Sequence, residues 1–309
     1  MKKKSLLIIG GSGFFGKSIL DFIINNKLFK KYSLIVFSRR AKLLKLKKNN
    51  HLIKKISGDV KKVKNLPNAD LVIYCPLLKN LNDDILAVKN YFSIAKKIHF
   101  NSKILYASSG AVYGESSKKS VKENHDNIIK YKSNNYKKYY SRAKIINEKK
   151  FQELGRLGMN VSIARCFSFV GEHLSNKKYV IKNFIDSILM NRPVYIKSNY
   201  EVIRSYLYAD DLAKFLLKIL EKSNRSCPVY NCGSDDAINI RKLGNRLALK
   251  YNLRFKEENI NKDSSDWYVP NINKFRKEFK FYKKLNSYSA VIKTIKKIKK
   301  NYINISSSN

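Results

Sequence analysis

A phenol and an ammonium stand four residues apart at Tyr140 and Lys144, in the segment Tyr-Ser-Arg-Ala-Lys. On a helix, residues at this spacing share a face, so we expect the two side chains to lie side by side. A neighbouring cation favours the tyrosinate and should lower the pKa of Tyr140 toward neutral, as a general base requires. The alternative is an ordinary surface pair on a helix rich in lysine and tyrosine.

Two serines precede this helix and follow a strand pattern. The segment from Lys103 to Ala107 predicts a strand, and Ser108 and Ser109 come directly after it. Open α/β folds bind ligands at the carboxyl edge of the sheet. The hydroxyl of Ser109 is therefore expected at a ligand-binding edge.

An apolar run near the start of the chain leads into a glycine cluster. Leu6 to Ile9 predicts a buried strand, and Gly11, Gly13 and Gly16 have the G-x-G-x-x-G spacing that opens a helix over Phe14 to Asn25. In this spacing the first glycine makes the turn, the second lets backbone approach a pyrophosphate, and the third lets the helix pack on the strand. The helix N-terminus then offers N–H donors and a positive dipole to phosphates. A glycine turn in any α/β protein is the alternative.

Strand and helix patterns alternate after the glycine turn, as parallel strands with crossover helices require. The predicted strands are 6–9, 33–37, 51–57, 71–74, 103–107 and 161–165, and long helices are predicted at 82–98 and 136–154. This pattern predicts an α/β fold with a doubly wound parallel sheet of the Rossmann type. We expect a dinucleotide-binding domain over residues 1–166 and a smaller, mainly substrate-binding lobe over residues 167–309, from which some segments return to the first domain.

The composition predicts a folded and strongly basic protein. The chain has 309 residues, of which 44% are hydrophobic, enough for a sizeable core. Its net charge of +41 would ordinarily indicate nucleic acid or an anionic membrane as a partner. Lysine runs such as 61–64 and 293–300 recur along the whole chain. A solvated basic surface is therefore favoured over a specific nucleic-acid patch, and it would help to gather a charged nucleotide substrate.

Neither the N-terminal segment nor the metal-binding residue types predict a further function. The apolar run after Met1 is too short for a signal peptide, and no stretch approaches the roughly 20 apolar residues of a membrane span, so we expect a cytoplasmic protein. The cysteines form no C-x-x-C pair and are expected to be free thiols: Cys75, Cys166, Cys227 and Cys232. The histidines are scattered, predict no metal site, and are expected on the surface or in loops: His51, His99, His125 and His173.

Glycine turn, serine strand end and Tyr-x-x-x-Lys helix follow one another along the chain. In this order they resemble the extended branch of the short-chain dehydrogenase/reductase superfamily, the NAD(P)-dependent nucleotide-sugar epimerases, dehydratases and reductases. The segment 164–171 is similar to that family's Arg-x-Phe-Asn-x-x-Gly, 204–211 to its Arg-Asp-Phe-Ile-x-Val-Asp-Asp, and 229–234 to its Tyr-Asn-x-Gly strand. The resemblance covers nearly the whole chain.

The resemblance implies roles for individual residues. Tyr140 would exchange a proton with a sugar hydroxyl, Lys144 would hold the cofactor ribose, and Ser109 would bind the reacting oxygen. Hydride would pass between the nicotinamide and a sugar carbon, usually C4. The residues implied to bind the cofactor are Gly10, Gly11, Gly13, Phe14, Phe15, Gly16, Ser38, Arg39, Asp59, Val60, Tyr140 and Lys144. The residues implied to contact substrate are Ser109, Ser168 and Arg204.

Two of these assignments have structural alternatives, since Asp59 also fits a turn aspartate and Arg204 also fits a structural arginine near Asp210 and Asp211. Most members of the family have an asparagine at the position of Ser168. The contacts of this protein with the sugar diphosphate are therefore expected to differ from those of the family.

Two departures from the family pattern bear on the cofactor and the reaction. Ser38, Arg39 and Arg40 stand at the end of the second strand, where NAD-binding proteins have an acid that hydrogen-bonds the ribose 2′-hydroxyl. Guanidinium groups suit a 2′-phosphate, so NADP is favoured over NAD. In the family's 4,6-dehydratases an Asp-Glu pair stands at the positions of Gly110 and Ala111 and supplies the acid and base that eliminate water. The resemblance therefore disfavours a 4,6-dehydratase.

The sequence thus predicts a nucleotide-sugar 4-epimerase or 4-ketoreductase. The alternatives are a 4,6-dehydratase and a non-catalytic Rossmann protein that binds nucleic acid. The resemblance also implies a homodimer that forms through the two long helices, and a place in polysaccharide precursor synthesis.

Overall fold

A computed structural model describes residues 2–46, 49–78, 80–114, 120–124, 135–260 and 265–306. The chain divides into two compact units. The first comprises residues 1–114, 123–166 and 212–232, and the second comprises residues 115–122, 167–211 and 233–309. Assignment of cofactor binding to residues 1–166 and of substrate binding to residues 167–309 stays a prediction.

Strands and helices alternate through the first half of the chain, as the periodicity predicts. The strands are β1 (Lys4–Ile9), β2 (Tyr32–Ser38), β3 (Ile53–Ser57), β4 (Leu71–Tyr74), β5 (Lys103–Ser109) and β6 (Asn160–Cys166). The helices are α1 (Phe14–Asn25), α2 (Leu81–Ile98) and α3 (Asn135–Arg156), with single 3₁₀ turns at Leu28–Lys30, Asn50–Leu52 and Gly110–Tyr113.

The second half of the chain has shorter strands. In order they are β7 (Phe169–Val170), β8 (Val194–Ile196), β9 (Glu201–Arg204), β10 (Leu207–Tyr208), β11 (Val229–Cys232), β12 (Ile238–Asn239), β13 (Phe255–Glu257) and β14 (Ser265–Tyr268). The helices are α4 (Val180–Leu189), α5 (Ala209–Glu221), α6 (Ile240–Lys250), α7 (Asn273–Phe279) and α8 (Ser287–Ser306). Within the described residues, no helix combines the length and apolar character that crossing a bilayer requires.

The first unit is built on a parallel sheet with the order β3-β2-β1-β4-β5-β6-β11. All six predicted strands are present, and the doubly wound Rossmann fold is confirmed. The seventh strand, β11, comes from a segment that returns to this unit. Strand order reverses between β1 and β4, which is where open α/β sheets form a ligand crevice at their carboxyl edge.

Helices cover both faces of the sheet, which explains the continuous apolar run of β1. Residues Leu6 to Ile9 are each at most 1% exposed. On the face toward α2 and α3, four aromatic rings form a cluster: Tyr74, Tyr91, Tyr106 and Phe151. The rings of Tyr106 and Phe151 stack with centroids 4.3 Å apart, so α3 is held firmly on β5.

The described residues of the second unit form three small sheets. Strand β9 pairs antiparallel with β12 and parallel with β14, β7 pairs with β10, and β8 pairs with β13. The hydroxyl of Ser287 at the start of α8 accepts from the backbone N–H of Tyr206 and donates to the carbonyl of Asp236. These bonds fix α8 within the unit.

His99 is buried in the turn that follows α2, so of the two positions expected for the histidines, surface or loop, it has the loop position. It follows the last turn of α2 with no exposed surface, and its Nε2 lies 2.9 Å from the carbonyl oxygen of Pro67. Burial lowers the pKa of His99 below the ordinary 6.5. His51 is exposed and His173 is half-buried, whereas His125 lies outside the described residues.

The buried His99 should make stability depend on pH. As the pH falls through 6.5, the unfolded chain takes up a proton that the folded imidazole resists, so the free energy of unfolding should fall. His99→Gln keeps a polar group beside Pro67 and removes the titration. Urea unfolding at about pH 7.5 and about pH 5.5 should show a smaller loss for the variant than for wild type. Equal losses in the two proteins would contradict this prediction.

Candidate active site

The glycine cluster forms a tight turn between β1 and α1. Gly10 has φ +86°, a conformation that side chains disfavour, so the left-handed residue is Gly10 rather than Gly11. A Cβ on Gly16 would lie 2.2 Å from the Cα of Gly11, so only glycine permits α1 to pack this closely on the turn. The backbone N–H of Gly10 donates to the carbonyl of Phe37 at 2.8 Å, which fixes the end of β2 beside the turn.

The N-terminus of α1 has the properties of a phosphate cradle. Gly13 is its cap residue, and an added Cβ there would meet only the carbonyl oxygen of Gly10, at 3.3 Å. The first turn, which includes Phe14 and Phe15, carries no acidic residue. The positive end of the helix is therefore open to an anionic group, which fits a dinucleotide pyrophosphate.

The ends of β2 and β3 offer partners for the adenosine half of such a cofactor. Ser38 is buried, and its hydroxyl has no hydrogen-bond partner among the described residues. Arg39 and Arg40 follow it and are exposed. An orphaned hydroxyl beside two guanidinium groups fits a ribose or its phosphate.

Asp59 and Val60, after β3, are engaged locally. The Asp59 carboxylate accepts from the backbone N–H of Lys61 at 3.0 Å, which is the bond of a turn aspartate. The Val60 side chain is buried in the core, and its carbonyl accepts from Asn90 at 2.8 Å. Contact of either residue with an adenine stays a prediction.

Ser109, Tyr140 and Lys144 lie together at the carboxyl edge of β5. Ser109 is the last residue of that strand, and its hydroxyl accepts from the backbone N–H of Ala111 at 3.2 Å. The Ser141 hydroxyl donates to the carbonyl of Ala111 at 2.7 Å, which fastens α3 to this turn. A side-chain hydrogen bond joins Tyr140 to Ser109, and the Lys144 ammonium lies 5.5 Å from the centre of the Tyr140 ring.

The pKa of Tyr140 departs from the value expected from its spacing to Lys144. Burial raises this pKa, whereas the Lys144 ammonium and the hydrogen bond to Ser109 lower it without outweighing burial. The prediction that Lys144 brings the phenol toward neutral is therefore wrong in its net direction. Desolvation therefore leaves the Tyr140 phenol a weaker acid than a free tyrosine.

Lys144 has a buried partner that the spacing of motifs did not reveal. Its Nζ lies 3.1 Å from Oδ2 of Asp84 in α2, with the two side chains 3% and 6% exposed. Burial disfavours the ammonium, but Tyr106 and Asp84 raise the pKa of Lys144 well above its ordinary value. The sequence did contain a signal for this partner, because Asp84 lies on the same face of α2 as the buried Ala87, Val88 and Tyr91. An acid on a buried face is rarely unpaired, so a buried cation could have been expected beside it.

A cleft of 440 Å³ lies beside these residues in the first unit. Side chains of the start of α2 and of α3 line it, among them Asn80, Asp84, Tyr139, Tyr140 and Ala143. Tyr140 and the acid that holds Lys144 thus both line this cleft.

A buried ion pair fixes α3 against the sheet. Glu148 Oε2 lies 2.8 Å from Nη2 of Arg165 in β6, and the hydroxyl of Ser108 donates to Oε1 of Glu148 at 2.6 Å. Arg165 also donates to the hydroxyl of Tyr113 at 2.9 Å. One turn away from Lys144, these bonds set the rotation of the helix that carries Tyr140.

Ser168 and Arg204, expected to contact substrate, belong to the second unit. Arg204 donates to the carboxylate of Asp266 at 2.6 Å and to its carbonyl at 2.7 Å, rather than pairing with Asp210 or Asp211. The carbonyl of Ser168 accepts from the backbone N–H of Leu207. Their substrate contacts stay predictions.

Comparisons with known proteins identify a matching family model. Residues 6–233 match the model of the NAD dependent epimerase/dehydratase family. A dTDP-4-dehydro-6-deoxyglucose reductase of Escherichia coli is 24% identical over 285 residues, which cover 82% of this chain and 84% of the relative.

Two solved structures are similar in fold. A dTDP-glucose 4,6-dehydratase from Bacillus anthracis in complex with NAD is 14% identical with a TM-score of 0.79, covering 96% of this chain and 97% of that one. A UDP-N-acetylglucosamine 4-epimerase from Methanobrevibacter ruminantium, in complex with UDP-N-acetylmuramic acid, is 20% identical with a TM-score of 0.77, covering 96% and 98%.

Proposed function

Because the chain belongs to the NAD dependent epimerase/dehydratase family, a group of sugar-nucleotide enzymes, we propose that it acts at C4 of a nucleotide-activated hexose. The reaction is inversion of C4 through a transient ketone, or reduction of a 4-keto sugar. The observation that supports this proposal is the meeting of Ser109, Tyr140 and Lys144 at the carboxyl edge of β5.

Each of the three side chains has a distinct role in this proposal. Tyr140 exchanges its phenol proton with the oxygen on C4, and Ser109 holds that oxygen by a hydrogen bond. Lys144 binds the cofactor ribose and stabilises the tyrosinate when Tyr140 has given up its proton. The bound nicotinamide supplies or takes up the hydride.

Cofactor stoichiometry distinguishes the two reactions. An epimerase returns the hydride and consumes no cofactor, whereas a reductase consumes one equivalent for each product. We would identify by mass spectrometry any dinucleotide and sugar nucleotide that co-purify, and then incubate the protein with UDP- and dTDP-hexoses and their 4-keto forms. Absence of turnover across this panel, in protein that binds the dinucleotide, would contradict the proposed function.

A 4,6-dehydratase is the second candidate, since the chain shares its fold with such an enzyme. Gly110 and Ala111 supply no acid or base beside Ser109. The Asp84 carboxylate is bonded to Lys144 and Asn147. Loss of water from a 4-hydroxyl substrate in the same panel would favour the dehydratase instead.

We propose NADP as the preferred cofactor, because β2 ends in Ser38, two exposed arginines follow it, and no acid stands there to bind the ribose of NAD. Replacing Arg39 with alanine should lower the affinity for NADPH about tenfold and leave that for NADH nearly unchanged. Fluorescence titration measures both. The exposed Arg156→Ala, at the end of α3, controls for loss of positive charge. An unchanged NADPH to NADH ratio in Arg39→Ala would remove the reason for preferring NADP.

Two further expectations belong to this proposal. A homodimer through α2 and α3 is supported by exposed apolar side chains on those helices: Leu86, Tyr139 and Ile146.

Nucleic acid binding should be weak, salt-sensitive and without sequence preference, because the charge is spread along the chain and the Tyr-x-x-x-Lys pair is intact.

A further inference from the structure

The Asp84–Lys144 ion pair stands out because the fold alone does not require it. Helices α2 and α3 already pack through apolar groups, such as the stacked rings of Tyr91 and Phe151, whose centroids are 5.9 Å apart. Burying two charges costs several kcal/mol of desolvation, and apolar side chains in their place are often as stable. A role in the chemistry of the neighbouring Tyr140 explains the pair better than stability does.

The surroundings of the pair are built to hold the ammonium in one place. The Nζ of Lys144 lies 5.5 Å from the ring centres of both Tyr106 and Tyr140 and 3.1 Å from Asp84. Asn147, one turn after Lys144 on α3, donates to the same Oδ2 of Asp84 at 3.1 Å. The other oxygen of Asp84 has no hydrogen-bond partner in the described part of the chain, and the residue lines the cleft beside Tyr140.

We propose that Asp84 is a positioning residue, which holds the Lys144 ammonium beside Tyr140, offsets its charge, and so sets the pH up to which Tyr140 keeps the proton that it donates. This inference rests on the proposed role of Tyr140 as the acid/base.

The charged and titratable groups around Tyr140 act in this direction. Burial raises its pKa, and Asp84 from α2 and Cys166 from β6 add to the rise. Lys144 on the same helix and Ser109 from β5 lower it. Further from the phenol, two more tyrosines interact with the pair: Tyr74 of β4 and Tyr106 of β5. Removing the carboxylate would leave the ammonium uncompensated and bring the tyrosine closer to ionisation.

The proton balance of the reaction shows what this bias does. With a bound reduced nicotinamide as the source of hydride to the carbonyl carbon, the O–H bond of Tyr140 would break as a new O–H bond forms on the sugar oxygen. Lys144 stabilises the tyrosinate until it regains a proton from solvent. The reverse reaction begins from the tyrosinate, and Asp84 raises the pH at which that form appears. Asp84 therefore sets the pH range in which each direction proceeds, whereas the equilibrium between ketone and alcohol is unaffected.

The test measures ionisation of Tyr140 directly and needs no substrate. Protein labelled with ¹³C at tyrosine Cζ is titrated by NMR, and the Tyr140 signal is identified by its loss in Tyr140→Phe. Asp84→Asn keeps shape and removes charge, and it should lower the pKa of Tyr140 by about one unit. Asp83→Asn makes the same change one residue earlier in α2, where Asp83 pairs with Lys61 at 3.0 Å, and it should leave Tyr140 unchanged. A Tyr140 titration equal to wild type in Asp84→Asn would overturn the inference.

Two further measurements complete the test. With an active substrate, the pH above which ketone reduction declines should move down by a similar amount in Asp84→Asn and return toward wild type in Asp84→Glu. If the asparagine variant does not fold, Asp84→Ser removes the charge with a smaller side chain. A lower unfolding midpoint with an unmoved Tyr140 titration would mean that Asp84 is only structural. Because the titration requires no turnover, its outcome is separate from failure of the proposed function.

Discussion

Tyr140→Phe is expected to lower turnover by about 10²- to 10⁴-fold, the usual contribution of a positioned acid or base. The substitution removes only the hydroxyl, so the ring should remain beside the Lys144 ammonium, and the packing of α3 against the sheet should persist. Cofactor affinity should change little, because the phosphates are expected at the glycine turn. The loss should therefore appear in kcat far more than in dinucleotide binding.

Steady-state turnover and NADPH titration of the same preparation test this expectation. The control is Tyr282→Phe in the second unit, where the side chain is largely exposed. The control should behave like wild type in both assays. Wild-type turnover in Tyr140→Phe would remove Tyr140 from the mechanism and with it the proposed reaction.

Lys144→Met should be costly to the fold as well as to activity. It leaves the Asp84 carboxylate buried without its cation, and breaking a buried ion pair from one side typically costs about 3–5 kcal/mol. Adding Asp84→Asn removes the orphaned charge, so the double variant should regain most of the lost stability. Its turnover should stay low, because no ammonium remains to bind ribose or stabilise the tyrosinate.

Urea unfolding of the single and double variants separates the two effects. Lys150→Met provides the control on the same helix, since the Lys150–Glu153 pair is partly exposed and its loss should cost less than about 1 kcal/mol. A double variant as unstable as Lys144→Met, or a Lys144→Met protein as stable as wild type, would contradict the assignment of Asp84 as the partner of Lys144.

The local patterns in the sequence were sufficient for the fold class. Helix α1 and strand β4 have the predicted bounds, and the other predicted elements of the first sheet differ by a few residues at their ends. Burial on both faces makes a strand uniformly apolar, and burial on one face gives a helix its periodic stripe, so these elements are encoded in neighbouring residues. The four-residue β11 was recognised only by its similarity to the family's Tyr-Asn-x-Gly strand, because its place in the sheet depends on pairing with β6, far away in the chain. Its Asn231 accepts from the hydroxyl of Tyr113 and donates its backbone N–H to Glu123.

By itself, the sequence determined the Rossmann fold, the glycine turn and the pairing of Tyr140 with Lys144, because each depends on spacing within one or two consecutive elements. Tertiary structure alone decided that Asp84 of α2 meets Lys144, that burial outweighs the ammonium at Tyr140, and that His99 is enclosed. The physical reason is that desolvation and ion pairing depend on which distant segments fill the space around a group. Spacing along the chain fixes a side chain's direction, whereas the charge state of that side chain is set by what folds against it.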